Sequence, residues 1–353
     1  MRTNRLGNTG LIVSELCLGA MTFGASTGLF GPIAGLDQDA STALVKQALD
    51  GGINFIDTAN VYTAGQSELF VGGALKALGI ARSDVVIATK AMGSMGPGPN
   101  DVGVSRYHLM HQIDASLKRL GTDHVDLYQI HGWDPTTPME EALRALDDMV
   151  RSGRVRYIGV SNWAAWQIVK ALGISARLGL DSFASLQAYY TVAGRDLERE
   201  IVPMLLSEGV GLMVWSPLAG GFLSGKYTRG ADDRSQGEGR RAAFDFPPVN
   251  MDRGYDLVEA MKRMADSRGS GASVAQIALA WLLYQPVVST VIVGAKRADQ
   301  LADNLASCEI EFTAAEMAEL NKLSELPAEY PGWMLGFQSG YRSQFLAEPR
   351  KPK

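Results

Sequence analysis

Short, almost continuously apolar runs recur along the chain: ELCLG (15–19), GINFID (52–57), DVVIAT (84–89), VDLYQIH (125–131), VRYIGV (155–160), FASLQ (183–187), VGLMVW (210–215) and STVIVG (289–294). Between them lie stretches with apolar residues at helical spacing, such as STALVKQALDGG, SRYHLMHQIDASLKRLG, PMEEALRALDDMVRSG and DLEREIVPMLLSEG. Several end in Gly, which ends helices cheaply because it tolerates the left-handed backbone. Ser105 stands where an N-cap belongs and Pro138 where a first helical residue belongs. Near-continuous apolar strands predict a parallel sheet covered on its outer face by helices. Eight strand–helix units close most naturally into a (β/α)8 TIM barrel. An open doubly wound sheet is the alternative, but LCLGAMTFG after the first strand does not match its G-x-G-x-x-G fingerprint.

Before the first run, an Asn8-Thr9-Gly10 turn between Arg5-Leu6 and Leu11-Ile12-Val13 predicts a short hairpin. Three connections exceed the short loops of an ideal barrel: the Gly-rich 24–37, GSMGPGPNDVG at 93–103, and the segment between the seventh strand and the QIALAWLL helix. The last holds a polar portion at 229–242, then FDFPPVN and a further helix near 252–267. Such loops at the carboxyl face of a barrel are expected to act as substrate lids. No tandem repeat or linker divides the chain. One domain spanning 1–353 is expected, with the barrel at about 15–310 and a C-terminal helix and tail at about 311–353.

Composition narrows the class. The 353 residues are 46% hydrophobic and carry a formal charge of −5, with no long basic stretch, which disfavours nucleic acid as a partner. The only cysteines, Cys17 and Cys308, lack metal-ligand spacing, so two reduced thiols and no metal are expected. The first residues, MRTNRLGNTG, lack the apolar stretch of a secretory signal, and no run approaches the roughly 18 apolar residues of a membrane helix. A cytoplasmic protein without a membrane partner is the expectation.

Polar residues punctuate the carboxyl ends of the runs: Asp57, Lys90, His131, Ser161, Asn162, Gln187 and Ser216, with Tyr62 in the DTANVY loop. Singly each has an ordinary explanation, a turn-forming Asn or a buried His. In a barrel, however, these ends converge on one cavity. A free phenol, with a pKa of about 10, is too weak an acid near neutrality. A neighbouring ammonium such as Lys90 stabilises the phenolate, and Asp57 would hold that ammonium charged. His131 would donate to a substrate carbonyl oxygen or share the Tyr62 proton. Side chains cannot supply hydride, so a nicotinamide or flavin must.

Asn162 and Gln187 offer amides to a carboxamide, assisted by Ser161, and Trp215 offers a flat face; a core tryptophan is the equal alternative. Lys296 and Arg297 precede a helix whose N-terminus favours anions, and Gln300 and Asn304 share one face of it. Two cations there favour NADPH over NADH; two solvated basic residues are the plainer alternative. GGFLSGK (220–226) fits G-x-x-x-x-G-K, but Tyr227 replaces the Ser/Thr that a magnesium site needs. Ser216 to Lys226 therefore reads as a backbone-rich loop for a pyrophosphate.

GINFIDTANVY, VVIATK, DLYQIH, YIGVSN, SLQ, WSPLAGGFLSGKY and VGAKRADQLADN together make the chain resemble the aldo-keto reductase superfamily, from the hairpin to about residue 325. The resemblance implies a (β/α)8 barrel with an N-terminal β-hairpin and extra C-terminal helices, using NADPH without a metal. It implies a tetrad of Asp57, Tyr62, Lys90 and His131, with Tyr62 as general acid and Asp57 also on the cofactor side. It carries the nicotinamide site onto Ser161, Asn162, Gln187 and Trp215. The cofactor-phosphate segments become Ser216, Pro217, Leu218, Gly220, Ser224 and Lys226, then Gly294, Lys296, Arg297, Gln300 and Asn304. Met21 and Thr22 match a backbone contact. Trp215 departs from the tyrosine frequent at its position.

WSPLAGGFLSGKY is similar to the branch of bacterial general reductases and potassium-channel β-subunits, so the substrate residues Phe23, Phe30 and Trp133 are placed by position only. Phe30, Trp133 and Trp333 hint at an apolar pocket. The implied activity is NADP(H)-dependent reduction of aldehydes or ketones to alcohols, reversibly, on a small-molecule carbonyl or alcohol. An NADPH-binding redox-sensing subunit with slow turnover, a barrel lyase or isomerase, and an oligomeric state all stay open.

Overall fold

The computed structural model describes residues 1–25, 31, 33–230, 241, 246–269, 271–343 and 345. Each of the eight apolar runs overlaps a strand: β3 (Leu16–Gly19), β4 (Phe55–Asp57), β5 (Val86–Ala91), β6 (Val125–Ile130), β7 (Val155–Ser161), β8 (Phe183–Tyr189), β9 (Gly211–Trp215) and β10 (Val288–Val293). All neighbours pair in parallel and β10 closes on β3, which completes the barrel. Helices α1 (Gln38–Asp50), α2 (Gln66–Ala77), α3 (Arg106–Leu120), α4 (Met139–Arg151), α5 (Ala165–Leu178) and α6 (Ile201–Glu208) alternate with the strands. Next come α7 (Met251–Ser267), α8 (Val274–Leu283), α9 (Ala298–Ala306), α10 (Ala314–Leu323) and α11 (Gly332–Ser343).

Two apolar clusters follow from the alternation of side chains along each strand. Outward residues such as Leu18, Ile56, Ile87, Tyr128 and Val291 meet the helices, represented by Leu44, Ile113, Leu146 and Trp281. Inward residues Cys17, Phe55, Val86, Ala88, Leu127, Met213 and Ile292 fill the barrel itself. The hairpin, β1 (Thr3–Arg5) against β2 (Ile12–Ser14), adds Leu6 and Val13 to that inner cluster and closes the amino end. Asn8 N–H donates to Gly209 O at 2.7 Å. At Gly7, φ is +60° and a Cβ would lie 2.4 Å from Ala184 O, so only glycine fits this approach.

Local signals place the helix ends. Ser105 Oγ accepts from His108 N–H at 3.2 Å, the N-cap bond of α3. Pro138 sits one residue earlier than expected, at the N-cap of α4, because its ψ of 128° is extended. The stretch DLEREIVPMLLSEG is two elements, a 3₁₀ turn at Asp196–Glu198 and then α6. Pro203, which has no N–H to donate, is tolerated in the first turn of α6, where donors lack helical partners anyway. Among the described residues, no helix is long and apolar enough to cross a membrane.

Candidate active site

The carboxyl ends of β4, β5 and β6 bring three of the polar residues together. Asp57 is the last residue of β4 and pairs with Ala88 of β5, while Lys90 pairs with Gln129 of β6. Lys90 Nζ donates to Asp57 Oδ2 at 2.6 Å, to Thr58 O at 2.8 Å and to Tyr62 Oη at 3.3 Å. Three donors meet three acceptors, so the buried ammonium is fully satisfied. Burial alone would lower the Lys90 pKa, but the charge of Asp57 and the contact with Tyr62 outweigh it and the pKa is raised. On its other oxygen, Asp57 Oδ1 accepts from Gln187 Nε2 at 3.0 Å and from Gln129 Nε2 at 3.2 Å.

His131 follows β6, and its N–H donates to Ala91 O at 3.1 Å. Its ring stands edge-on to that of Tyr62, with centroids 5.6 Å apart. Burial, helped by the Lys90 charge, pushes the His131 pKa down to about 3, so the imidazole is neutral near pH 7.

Tyr62 is held by a strained loop. Its N–H donates to Ala59 O, and Thr58 and Asn60 donate backbone N–H bonds to Ala88 O and Lys90 O along the edge of β5. Thr63 and Ala64 then adopt φ of 47° and 53°, left-handed values that a branched residue such as threonine rarely takes. Thr63 Oγ1 donates to Phe23 O at 2.8 Å, which fixes the turn. Among the described residues, the other non-glycine positive-φ positions are Asn162, Ser216 and Ala219. All five lie in loops after β4, β7 and β9, on the same rim. Strain of this kind concentrates where function over-determines the backbone.

Around that rim, Ser161 pairs with Gln187, and Tyr189 with Trp215. Asn162 Oδ1 accepts from Trp215 Nε1 at 3.0 Å, and its Nδ2 donates to His131 O at 3.3 Å. Phe246 stacks on Trp215 with centroids 5.9 Å apart and planes 12° apart. After β9, Ser216 Oγ accepts from Gly220 N–H, Leu218 O accepts from Gly221 and Leu223, and Ser224 Oγ donates to Gly221 O. Pro217 lies within this turn. Lys226 is exposed, yet partial desolvation lowers its pKa, and its ammonium lies over the Tyr227 ring at 5.1 Å. Arg241, itself buried, donates to Pro247 O at 2.8 Å.

After β10, Thr22 Oγ1 donates to Ala295 O at 3.0 Å, joining the loop that carries half-buried Met21 to the loop at Gly294. Lys296 N–H donates to Gln300 Oε1 at 2.9 Å, and Asn304 is buried beneath Gly294. Arg297 forms a bidentate pair with Asp299 at 2.9 and 2.8 Å.

The substrate residues separate. Phe23 is 0% exposed and packs in the outer core, so it presents no face to a ligand. Trp133 is half-buried, edge-on to Trp163 at 4.9 Å and to Trp166 at 6.1 Å. Trp333 lies on α11 and is exposed. Phe30 lies outside the described residues. Gln129 is the residue that the motif reading missed. Its signal was the strand period: Leu127, Gln129 and His131 are spaced by two and share the inward face.

The profile of the aldo/keto reductase family matches residues 15–325. The chain belongs to the aldo/keto reductase family. It is 36% identical to an uncharacterized oxidoreductase of Bacillus subtilis over 92% of this chain and 96% of that protein. It is 39% identical to a probable voltage-gated potassium channel subunit beta of Arabidopsis thaliana, over 88% of this chain and 92% of the relative. With versiconal hemiacetal acetate reductase of Aspergillus parasiticus the identity is 36%, over 94% and 99%. An oxidoreductase role on small carbonyl or alcohol compounds follows from this membership in the aldo/keto reductase family.

Proposed function

We propose that this aldo/keto reductase is NADP(H)-dependent, reduces aldehydes or ketones to alcohols reversibly, and uses Tyr62 as its general acid. The observation that carries the proposal is the Tyr62 hydroxyl 3.3 Å from Lys90 Nζ, itself 2.6 Å from Asp57 Oδ2. Tyr62 Oη gives its proton to the carbonyl oxygen, and the adjacent ammonium stabilises the phenolate left behind. Asp57 keeps that buried ammonium charged. Neutral His131 acts on the same oxygen as a hydrogen-bond partner rather than as a cation.

A nicotinamide cofactor, when bound, supplies the hydride. The rim fits such a group in three respects. A Cβ at Gly294 would meet only Gly19 O at 3.9 Å, which leaves open space beside the strand end. Positive φ at Ser216, Ala219, Gly220 and Gly221 folds this loop tightly against the Lys226 ammonium, 3.6 Å from a Cβ built at Gly221, and that cation is what the loop offers a phosphate. Trp215, Asn162, Ser161 and Gln187 would hold the ring and carboxamide, although Gln187 has committed Nε2 to Asp57 and has Oε1 to offer. Met21, Thr22, Pro217, Leu218 and Ser224 would line the same groove. Lys296, Arg297, Gln300 and Asn304 would take the adenosine end. The pairing of Arg297 with Asp299 makes Lys296 the stronger candidate for a 2′-phosphate. On this reading residues 1–353 form one barrel domain with a C-terminal extension.

The test is NADPH oxidation in the presence of 4-nitrobenzaldehyde. Tyr62→Phe is expected to lower turnover by about 10²–10⁴-fold, the usual worth of a positioned acid, with NADPH affinity within a few-fold. Unchanged turnover overturns the assignment. Likeness to probable channel β-subunits favours a second reading, a redox-sensing subunit that binds NADPH. Tight NADPH binding with turnover on every carbonyl far below the about 1–10³ s⁻¹ of ordinary enzymes would select it.

A further inference from the structure

Helix α11 is apolar and largely exposed. Tyr330, just before it, and Trp333, Phe337, Tyr341 and Phe345 are 73, 52, 65, 59 and 80% exposed, and Leu335 is 60% exposed. At about 200 Å² per ring, this face offers roughly 700 Å² of apolar surface. That exceeds the largest patch of a typical monomer, about 300–600 Å². It is close to the roughly 800 Å² that each partner contributes to a standard interface.

The face is also self-complementary. Trp333, Phe337 and Tyr341 recur at every fourth residue and form a ridge, continued by Phe345 and stiffened by the edge-on Phe337–Tyr341 contact at 5.5 Å. Gly332, Gly336 and Gly340 form the adjacent row, and a Cβ at any of them would meet nothing within 4 Å. An aromatic ridge beside an open glycine groove matches ridges-into-grooves packing of the helix on a copy of itself. Three glycines cost the helix about 1 kcal/mol each relative to alanine, and a 12-residue helix is marginal alone, so docking must supply its stability.

The chain before α11 is fastened to the barrel: Arg199 pairs with Glu329 at 3.0 Å and donates to Pro327 O at 3.1 Å. Within Gly332–Ser343 the single charged residue is Arg342, so two copies meet with little like-charge repulsion. Within the helix that single cation does not make the basic polar face that interfacial helices carry, which disfavours a lipid surface for α11 itself.

We propose that α11 is a homodimerisation element. It packs against α11 of a second copy about a two-fold axis, each aromatic ridge entering the other's glycine groove. This inference does not depend on the catalytic assignment.

The test is the mass of the full chain in solution by light scattering and sedimentation at tens of micromolar. The expected mass is twice 37.9 kDa or a higher even multiple. Gly336→Leu, which fills the groove, and Phe337→Ser, which removes the ridge, should each halve the mass or raise the dissociation constant at least tenfold. The turnover of these variants should not change. A monomeric wild-type chain, or variants that associate like wild type, overturns the proposal. So does a monomer that co-sediments with phosphatidylcholine–phosphatidylglycerol vesicles through Phe337.

Discussion

Lys90 Nζ and Asp57 Oδ2 are 2.6 Å apart across neighbouring strands, with side chains 0% and 3% exposed. A buried ion pair is seldom there for stability, because desolvation offsets most of its attraction. Here the pair holds a charge beside the Tyr62 hydroxyl. Removing one partner leaves the other unpaired in the interior. Asp57→Asn is expected to lower unfolding stability by about 3–5 kcal/mol in urea titrations. The loss of counter-charge should also move the alkaline limb of the pH–turnover profile to lower pH.

His131 links stability to pH. Its folded pKa is about 3, through burial and then Lys90, whereas an unfolded histidine titrates near pH 6.5. Between those values the unfolded chain binds a proton that the native state refuses. Its contribution is therefore complete above about pH 6.5 and is lost as pH falls toward 3. The wild-type urea midpoint should drop more between pH 7 and pH 5 than that of His131→Gln. Equal drops would contradict the assignment of a neutral imidazole.

Asp134 ties two rim loops together. Its carboxylate accepts from Val104 N–H at 3.0 Å, from Thr136 N–H and Oγ1 at 2.9 and 2.6 Å, and from Thr137 Oγ1 at 2.7 Å. Burial opposes its charge, but the Thr136 and Thr137 bonds prevail and the pKa falls to about 2. Asp134→Ala is expected to cost about 3 kcal/mol, since it orphans several donors at once. Limited proteolysis should then cut first between residues 93 and 104.

Phe246 occupies a face of Trp215. An aromatic pair is worth about 0.5–1.5 kcal/mol beyond area burial, so a nicotinamide that uses that face must displace the phenyl ring. Phe246→Ala is expected to tighten NADPH binding about three- to tenfold in a fluorescence titration. The gain should vanish in a Trp215→Leu background.

The eight strands, their parallel pairing and the hairpin could be read from the chain because each depends on local periodicity. Asp57, Lys90 and His131 stand at the ends of apolar runs, and any barrel closure brings such ends together. Gln129 was equally accessible in principle, two residues before His131 on the same strand face. The left-handed backbone at Thr63 and Ala64 was not, because neither residue type favours it; Thr63 Oγ1 holding Phe23 O, 40 residues away, stabilises the turn.

Sequence alone determined which residues punctuate the strand ends and that a barrel would gather them, since side-chain alternation and helix signals act over a few residues. Tertiary structure decided the rest. It turned Gln187 toward Asp57, buried Phe23 in the core, laid Phe246 over Trp215, paired Arg297 with Asp299 and left the rings of α11 largely exposed. Those outcomes depend on what stands opposite each side chain after closure, which spacing along a chain does not encode.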